Sequence, residues 1–373
     1  MKILFVSNRY GKSAVGGYEM NCADIARALV ARGHEVTVLT ARGGGGEDRD
    51  AGVRVVASLL RETPHESALA TLRAMVWNPV RELVNRRALA QLDGHDHIVV
   101  WNAVDLGGGF IRDLAPRSIF YLLDGWLRAR LDRDPPARPA RLAFCSESLK
   151  AEYGTKIEPG TASAVIPLGV DPDQFAVATR QLDQPALQQI LYCGRVSPEK
   201  GVATLLRALS IARREGPFRL TIAGSFSGPA YRATLESLVR ELGLVADVRF
   251  APAVPRLELK AVYASHGCLA FPSEWCEPFG LSVVEGMLSG LAVVATDRCG
   301  PSEIVEDGVS GRLVPPGDPR ALAAALVANA SDPTAATTMA QRGARVAGDT
   351  FSLQTQVNRL EAFVVGWPAD AVR

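Results

Sequence analysis

The sequence lacks a charge imbalance, a closely spaced cysteine pair and a long hydrophobic run. Its 41 basic and 40 acidic residues leave a formal net charge of +1, which gives no overall field to gather nucleic acid. No apolar run approaches the ~20 residues that a membrane-spanning helix needs. The apolar start of residues 1–11 is too short for a signal peptide. We therefore expect a cytoplasmic protein that does not bind nucleic acid and has no transmembrane segment.

Cysteines are present but show no Cys-x-x-Cys spacing. Several end apolar runs, as in LAFC and ILYC, and such thiols stay reduced in the cytosol. We expect free core thiols, and neither disulfides nor zinc ligands, at all six positions: Cys22, Cys145, Cys193, Cys268, Cys276 and Cys299.

The chain of 373 residues exceeds the ~250 to 300 at which one core usually stops growing, so two domains are expected. Short β-rich runs alternate with longer helical patterns, which indicates two parallel sheets in an α/β architecture. The alternation breaks at residues 171–189, the predicted linker. It separates an N-terminal domain, residues 1–170, from a C-terminal domain, residues 190–350.

The apolar periodicity also places the individual elements. Strands are predicted at residues 2–7, 35–40, 53–56, 97–101, 117–123, 141–145, 162–166, 190–193, 219–223, 247–250, 267–271 and 291–295. Helices are predicted at residues 16–32, 65–92, 201–214, 229–242, 256–265, 279–289, 318–330, 334–347 and 352–365. Two doubly wound domains of this kind bind ligands at the carboxyl ends of their strands, so a shared cleft for a two-part ligand is expected.

A paired glycine, Gly16-Gly17, opens the first predicted helix directly after the first strand. Glycines there let backbone amides approach an anion, although a tight strand-to-helix connection explains them equally well. The stretch matches neither G-x-G-x-x-G nor a P-loop, which argues against a dehydrogenase. In the second domain, YCGRVSPEKG places Arg195 and Lys200 in a strand-to-helix turn. There the forked hydrogen bonds of arginine and the point charge of lysine suit a diphosphate, although two solvated charges on a loop are the alternative.

Two glutamates, Glu277 and Glu285, frame the stretch EWCEPFGLSVVEG. On one helix their backbones would be about 12 Å apart, which is too far for the ~5 to 9.5 Å of a glycosidase pair. We expect Pro278 to start the helix, with Glu285 two turns inside. Helix amides would then face an anion between the carboxylates; these amides belong to Phe279, Gly280 and Leu281.

These motifs together resemble the retaining glycosyltransferases of family 4, which have the GT-B fold. The resemblance covers nearly the whole chain, through PLGVDPDQF, GRVSPEKG, FPSEWCEPFGLSVVEGMLSGLAVVAT and GPSEIVEDGVSGRLVPPGD. It implies an N-terminal acceptor domain, a C-terminal donor domain and a last helix, about 351–367, that packs back on the first domain. It also implies that Glu277 contacts the transferred sugar, Glu285 binds ribose hydroxyls, and Arg195 with Lys200 neutralises the diphosphate without a metal.

The sequence departs from this family at one position. A histidine usually follows the strand that corresponds to SIFYLLDGW, but Asp124 stands there. A carboxylate at a strand end could contact an acceptor or receive its proton; the alternatives are a misjudged register and a surface aspartate. Asn102 and Asp105 are the other acceptor-site candidates.

Metal motifs are weak. Asp-x-Asp occurs at residues 48–50, 132–134 and 171–173, always in charged or Pro-rich stretches, and His-Asp-His at residues 95–97 lacks a third ligand. We expect no catalytic metal and no cofactor beyond the co-substrate. An Arg-bearing helix near residues 73–87 could contact anionic lipid, although a solvated face explains it as well.

The sequence therefore predicts a retaining, metal-independent hexosyltransferase that moves a sugar from a UDP or GDP donor to a hydroxyl or amine acceptor. The acceptor would be a natural product or a glycolipid or polysaccharide precursor, and the protein a monomer or homodimer. One alternative is a GT-B sugar-nucleotide 2-epimerase. Another is a non-catalytic sugar-nucleotide-binding subunit.

Overall fold

A computed structural model gives the structure of the protein for residues 1–10, 16–41, 52–60, 68–90, 94–102, 106, 108–125, 140–154, 157, 159–176 and 180–366. The chain divides into two compact units. Unit 1 comprises Met1–Gly169 and Leu353–Arg373, and unit 2 comprises Val170–Ser352. The two ends of unit 2 lie side by side, because the Val170 amide donates to the Phe351 carbonyl at 2.9 Å.

Unit 1 is built on a parallel sheet of seven strands. The strands are β1 Lys2–Ser7, β2 Glu35–Ala41, β3 Arg54–Leu59, β4 His97–Asn102, β5 Ile119–Leu122, β6 Arg141–Phe144 and β7 Ala162–Val165. They lie in the order β3-β2-β1-β4-β5-β6-β7, so the winding direction reverses between β1 and β4. Ligands of open α/β sheets bind at such a reversal, outside the carboxyl ends of the strands.

The helices of unit 1 connect these parallel strands, and a 3₁₀ turn, Ala115–Arg117, precedes β5. They are α1 Gly17–Ala31, α2 Ala68–Ala90, α3 Gly108–Leu114 and α4 Glu147–Tyr153. Pro79 lies inside α2. The Ser146 hydroxyl caps α4 by accepting a hydrogen bond from the Leu149 amide, which satisfies one of the amides that a helix start leaves unpaired.

Unit 2 has a second parallel sheet, with six strands. The strands are β8 Gln189–Cys193, β9 Arg219–Ala223, β10 Val248–Ala251, β11 Cys268–Phe271, β12 Ala292–Thr296 and β13 Arg312–Val314. Their order is β10-β9-β8-β11-β12-β13, and the winding reverses between β8 and β11. Leu205, Leu209 and Ile222 belong to a continuous apolar core in this unit.

The helices of unit 2 include two short ones in the predicted linker. They are α5 Pro172–Phe175, α6 Gln184–Leu187, α7 Val202–Ala212, α8 Pro229–Glu241, α9 Arg256–Ala264, α10 Leu281–Leu288, α11 Gly300–Ile304, α12 Pro319–Ser331 and α13 Pro333–Thr350. Asp318 and Asp332 cap α12 and α13 by accepting hydrogen bonds from first-turn amides, as side-chain oxygens at helix starts commonly do.

The last helix, α14 Leu353–Val365, belongs to unit 1 and packs against α1. Its buried Gln356 accepts from the Asn21 amide at 2.9 Å and donates to the Tyr121 hydroxyl at 2.9 Å. Its Glu361 accepts from Arg32 and from His34, the latter at 2.8 Å. The contacts with Asn21, Arg32 and His34 join residues more than 300 positions apart in the sequence and hold α14 against α1 and the turn that follows it.

The structure confirms all twelve predicted strands and nine predicted helices to within a few residues. It adds β13, which has only three residues, and several helices of seven residues or fewer, which are too short for a periodic pattern to identify. No helix among the described residues is long and apolar enough to cross a membrane.

Candidate functional site

Two adjacent strands of unit 2 position the predicted charged residues. β8 leads into the loop that carries Arg195 and Lys200, and its neighbour β11 leads into the loop that carries Glu277. Because the strands are parallel, both loops leave the same edge of the sheet, at the reversal of the winding. Residues 77 positions apart in sequence therefore meet.

The β8 loop is pressed onto the β11 loop. Lys200 ends a 3₁₀ turn, and the next residue, Gly201, has φ 69°. A Cβ at Gly201 would lie only 1.9 Å from the Pro272 carbonyl oxygen, so both the backbone conformation and the space require glycine. The Glu274 amide donates to the Glu199 carbonyl at 2.9 Å. This close approach brings Lys200 to Glu277.

Glu277 is held through one carboxylate oxygen. Its Oε2 accepts from Lys200 Nζ, from the Trp275 indole at 3.1 Å and, at a long 3.5 Å, from the Ser273 hydroxyl. The side chains of Lys200 and Glu277 are each 12% exposed. Removing one partner of such a partly buried ion pair leaves an uncompensated charge, so each of the two requires the other. Trp275 itself is 42% exposed.

Arg195 lies at the outer side of this site. Its side chain is 62% exposed and pairs with Glu199 at 3.7 Å, a distance and exposure that contribute little stability. The Tyr192 hydroxyl donates to the Arg195 carbonyl at 2.5 Å. Burial, and secondarily the charge of Glu277, raises the pKa of Tyr192, so this hydroxyl stays a donor. The structure thus fixes the backbone of Arg195 and leaves its guanidinium available to an anion.

The helix with the second glutamate begins later than predicted. α10 starts at Leu281, with Gly280 as its N-cap at φ 111°, so the prediction that Pro278 starts it is wrong. A residue at this φ is strained unless it is glycine, which sets the boundary. Phe279 and Gly280 precede the helix, and Glu285 lies about one turn inside it rather than two. Leu281 is the first residue of the helix, and an amide at that position has no hydrogen-bond partner within the helix.

Glu285 has a buried partner that sequence patterns did not reveal. The hydroxyl of Tyr263, a fully buried residue of α9, donates to Glu285 Oε2 at 2.8 Å. Burial, then the charges of Cys193 and Glu285, raises the pKa of Tyr263. Burial and the charge of Glu285 raise the pKa of Cys193 to about 12. Tyr263 is therefore a neutral donor that fixes one carboxylate oxygen of Glu285.

The cysteine prediction is wrong at two positions. Cys276 and Cys299 form a disulfide, with their Cα atoms 5.3 Å apart. They follow β11 and β12, which are adjacent, and sequence spacing alone does not reveal that proximity. The other four cysteines are free thiols: Cys22, Cys145, Cys193 and Cys268.

In unit 1, the predicted residues lie near the reversal of that sheet. Gly16 caps α1 with extended backbone, and a Cβ there would lie 2.5 Å from Glu19 Oε2. Asp124 is half-buried two residues after β5, and its carbonyl accepts from the Tyr153 hydroxyl at 3.1 Å. Asn102 ends β4, and Gly17 is the first residue of α1.

Some predicted positions lie outside the described residues, namely Asp105 and the Asp-x-Asp matches at 48–50 and 132–134. The third match is a helix cap, because Asp171 accepts from the Asp173 amide at 3.1 Å and from the Gln174 side chain at 2.9 Å. In the part of the chain that the structure describes, no group of three or more His, Cys, Asp or Glu side chains could hold a metal ion.

Known proteins are similar to this chain in sequence. Residues 180–346 match the family described as glycosyl transferases group 1, and residues 15–174 match glycosyltransferase family 4. The chain is 29% identical to glycogen synthase of Mycobacterium tuberculosis, over 93% of this chain and 89% of that protein. It is 27% identical to the GDP-mannose-dependent alpha-(1-6)-phosphatidylinositol monomannoside mannosyltransferase of Mycolicibacterium smegmatis, over 90% and 91%.

Solved structures show the same fold. The Anabaena protein HepE, solved with UDP-glucose, has a TM-score of 0.79 at 21% identity and covers 98% of this chain and 100% of its own. Sucrose-phosphate synthase from Thermosynechococcus elongatus has a TM-score of 0.80 at 21% identity, with 98% of both chains covered. With the two family matches, which together span most of the sequence, these findings show that the chain belongs to glycosyltransferase family 4, the group 1 glycosyltransferases with the GT-B fold.

Proposed function

We propose that the protein transfers a sugar, with retention of anomeric configuration, from a nucleotide-diphosphate sugar to a hydroxyl or amine acceptor. The observation that carries this proposal is the meeting of Lys200 and Glu277 at the reversal of the unit 2 sheet, beside the start of the helix that bears Glu285. The relatives support it, since HepE was solved with UDP-glucose and the mycobacterial mannosyltransferase depends on GDP-mannose.

The donor would lie along this edge of the sheet. Glu285, with one oxygen fixed by Tyr263, would accept hydrogen bonds from ribose hydroxyls. The diphosphate would lie between Lys200 and the first-turn amides of α10, where the positive end of the helix favours an anion. Arg195, whose guanidinium is exposed, would close on the diphosphate from outside by forked hydrogen bonds. Phe279 and Gly280 would supply backbone contacts just before the helix.

Glu277 would orient the transferred sugar by accepting hydrogen bonds from its hydroxyls. A carboxylate near a diphosphate would ordinarily repel it, but Lys200, which pairs with Glu277, would also contact the diphosphate and offset that repulsion. The three donors on Glu277 Oε2 also restrict the carboxylate to one orientation. Precise placement of a reacting group is worth a large part of an enzymatic rate.

The transfer step would proceed on one face of the sugar. As the bond between the anomeric carbon and the diphosphate oxygen breaks, the acceptor oxygen or nitrogen attacks the anomeric carbon from the same face, and the departing phosphate takes its proton. Lys200, Arg195 and the α10 amides would stabilise the charge that develops on the leaving group, which preorganised donors do most effectively. These groups would replace a metal ion, so neither metal nor cofactor is required.

Unit 1 would hold the acceptor, with Asp124 and Asn102 as the contact candidates among its described residues. The test is to incubate the protein with UDP- and GDP-sugars and extract-derived acceptors, with and without a chelator, and to detect products by mass spectrometry. Sugar-bearing products that form equally in both conditions support the proposal. An absolute requirement for Mg²⁺ or Mn²⁺ would contradict its metal independence, and consumption of donor without an acceptor would favour a 2-epimerase.

A further inference from the structure

The disulfide between Cys276 and Cys299 joins the loop that carries Glu277 to the next loop along the same edge of the sheet. Cys276 immediately precedes Glu277, and Cys299 lies in the turn between β12 and α11. The two cysteines are 23 positions apart in the sequence, and α10 lies between them. The disulfide therefore lies directly beside Glu277, the residue proposed to contact the sugar.

Hydrogen bonds accompany this cross-link between the two loops. The Gly300 amide donates to the Glu277 carbonyl at 2.9 Å. The Thr296 hydroxyl donates to the Ser273 carbonyl at 2.8 Å, and the Arg298 guanidinium donates to the Glu274 carbonyl at 2.9 Å. The backbone position of Glu277 therefore depends on where the β12 loop lies.

The β12 loop adopts an unusual conformation at the cross-link. Cys299 has φ 55°, the only positive φ of a non-glycine residue within the described ranges, and such a conformation persists only where surrounding contacts impose it. At the following residue, Gly300, a Cβ would lie 2.3 Å from the Phe279 carbonyl oxygen. The cross-link is one of the contacts around Cys299, and the amide of the next residue, Gly300, is the one that donates to the Glu277 carbonyl.

We propose that the Cys276–Cys299 disulfide is a positioning cross-link for Glu277, and that the grip on the donor sugar depends on its oxidation state. This inference rests on the proposed function. A dithiol reductant would break the Sγ–Sγ bond, pass two electrons and two protons to the cysteines, and itself become a disulfide. Both cysteines are half-exposed, so a small dithiol can reach the bond.

Reduction should weaken binding of the donor sugar without weakening binding of the nucleoside diphosphate. Cys299 then relaxes toward an ordinary φ, the Gly300 amide moves from Glu277, and the sugar contact weakens. Glu285 is held instead by Tyr263, and Lys200 follows a different strand, so the nucleoside diphosphate keeps its main partners. Loss of affinity should therefore appear with the intact sugar nucleotide and not with the nucleoside diphosphate.

The test compares the protein purified without reductant, the same protein after full reduction by dithiothreitol, and the Cys276→Ser/Cys299→Ser double variant. Thiol titration in denaturant should give four free thiols before reduction and six after it. Calorimetry then measures UDP against UDP-glucose, and GDP against GDP-mannose, in each sample. Thermal unfolding reports whether the double variant is folded.

We expect reduction to weaken sugar-nucleotide binding by roughly tenfold, as the loss of a hydrogen bond to a charged group does, and to leave nucleoside-diphosphate affinity within about twofold. The double variant should have the same affinities as the reduced protein, and dithiothreitol should not change them. Six thiols before reduction would show that the disulfide is absent. An unchanged ratio of sugar-nucleotide to nucleoside-diphosphate affinity after reduction would show that the disulfide does not position Glu277. Failure of the oxidised protein to bind any of the four nucleotides would instead contradict the proposed function with a UDP- or GDP-type donor, because this comparison needs no turnover.

Discussion

The ammonium group of Lys200 forms an ion pair with Oε2 of Glu277, although 77 residues separate the two in sequence. The pair exists because β8 and β11 are adjacent and parallel, and because Gly201 lets the β8 loop lie directly on Pro272. One cation can thereby neutralise both the sugar-orienting carboxylate and the diphosphate. Donor recognition and charge stabilisation in the proposed reaction depend on this single contact.

Replacing Lys200 should weaken donor binding strongly. Lys200→Ala removes a charge-assisted contact to the diphosphate and leaves Glu277 as an uncompensated, largely buried carboxylate. We expect about a 10- to 150-fold loss of nucleoside-diphosphate affinity by calorimetry. Lys260→Ala is the matched control, because Lys260 is exposed and its ammonium donates to the carbonyl of Asp173 at 3.2 Å, which is not among the residues of the proposed site. Equal affinities in the two variants would show that Lys200 does not grip the diphosphate.

Tyr263 should affect nucleotide affinity, because it orients the carboxylate that we propose binds the ribose hydroxyls. Tyr263→Phe deletes only the hydroxyl that donates to Glu285 Oε2 at 2.8 Å, which removes a donor that orients this carboxylate. We expect about a tenfold weaker affinity for UDP or GDP and a much smaller loss for the corresponding 2′,3′-dideoxynucleoside diphosphates, which lack the hydroxyls that Glu285 would bind. A loss of the same size for both kinds of nucleotide would indicate general damage to the site.

The contact of α14 with the end of α1 should depend on pH. The hydrogen bond from His34, with the charge of Arg32, holds the pKa of Glu361 below its usual value. A carboxyl with a lowered folded pKa stabilises the protein above its unfolded pKa, near ~4.3, and loses that contribution as the pH falls through the folded value.

Glu361→Gln should therefore lower the free energy of unfolding by up to about 1 kcal/mol at neutral pH, and the difference from wild type should shrink below pH ~4. Urea unfolding at several pH values measures it. Glu35→Gln is the control, since the Glu35 side chain is 76% exposed and lies 3.6 Å from Lys2. A difference that stays constant down to pH ~3 would contradict the assignment of the shift to Glu361.

Asp124 should affect turnover and not donor binding. Asp124→Asn keeps the size of the side chain and removes its charge, so a carboxylate that contacts the acceptor would lose its function. We expect at least about a tenfold lower kcat with unchanged nucleoside-diphosphate affinity, measured by steady-state kinetics and calorimetry. Transfer at the wild-type rate across all acceptors would make Asp124 structural and direct attention to Asn102.

Long periodic elements were predictable from sequence because burial imposes the pattern that reveals them. Apolar runs bounded by Gly and Pro turn signals predict the strands β8 and β11. They also place Arg195, Lys200 and Glu277 just after the ends of these strands. The beginning of α10 did not follow, since Pro278 is a good first residue in isolation and only the φ of Gly280 shows where the helix starts.

Contacts between distant segments could not be predicted from one sequence. The hydrogen bond from Tyr263 to Glu285 joins α9 to α10, and the disulfide joins loops after two different strands. Both depend on the strand order in the sheet, which periodicity does not encode. Cys276 and Cys299 lie outside the apolar runs and show no close spacing, so the expectation of reduced thiols was wrongly extended to them.

Glycosyl transfer with retention is the central claim, and proton NMR of the product tests it most directly. The protein is incubated with an α-linked sugar nucleotide and the acceptor that mass spectrometry identifies, and the anomeric coupling of the new linkage is measured with a sugar whose two anomers differ clearly in that coupling. The account predicts an α-linked product that appears as the nucleoside diphosphate is released. A β-linked product would contradict the same-face mechanism and the roles assigned to Lys200 and Glu277 in it.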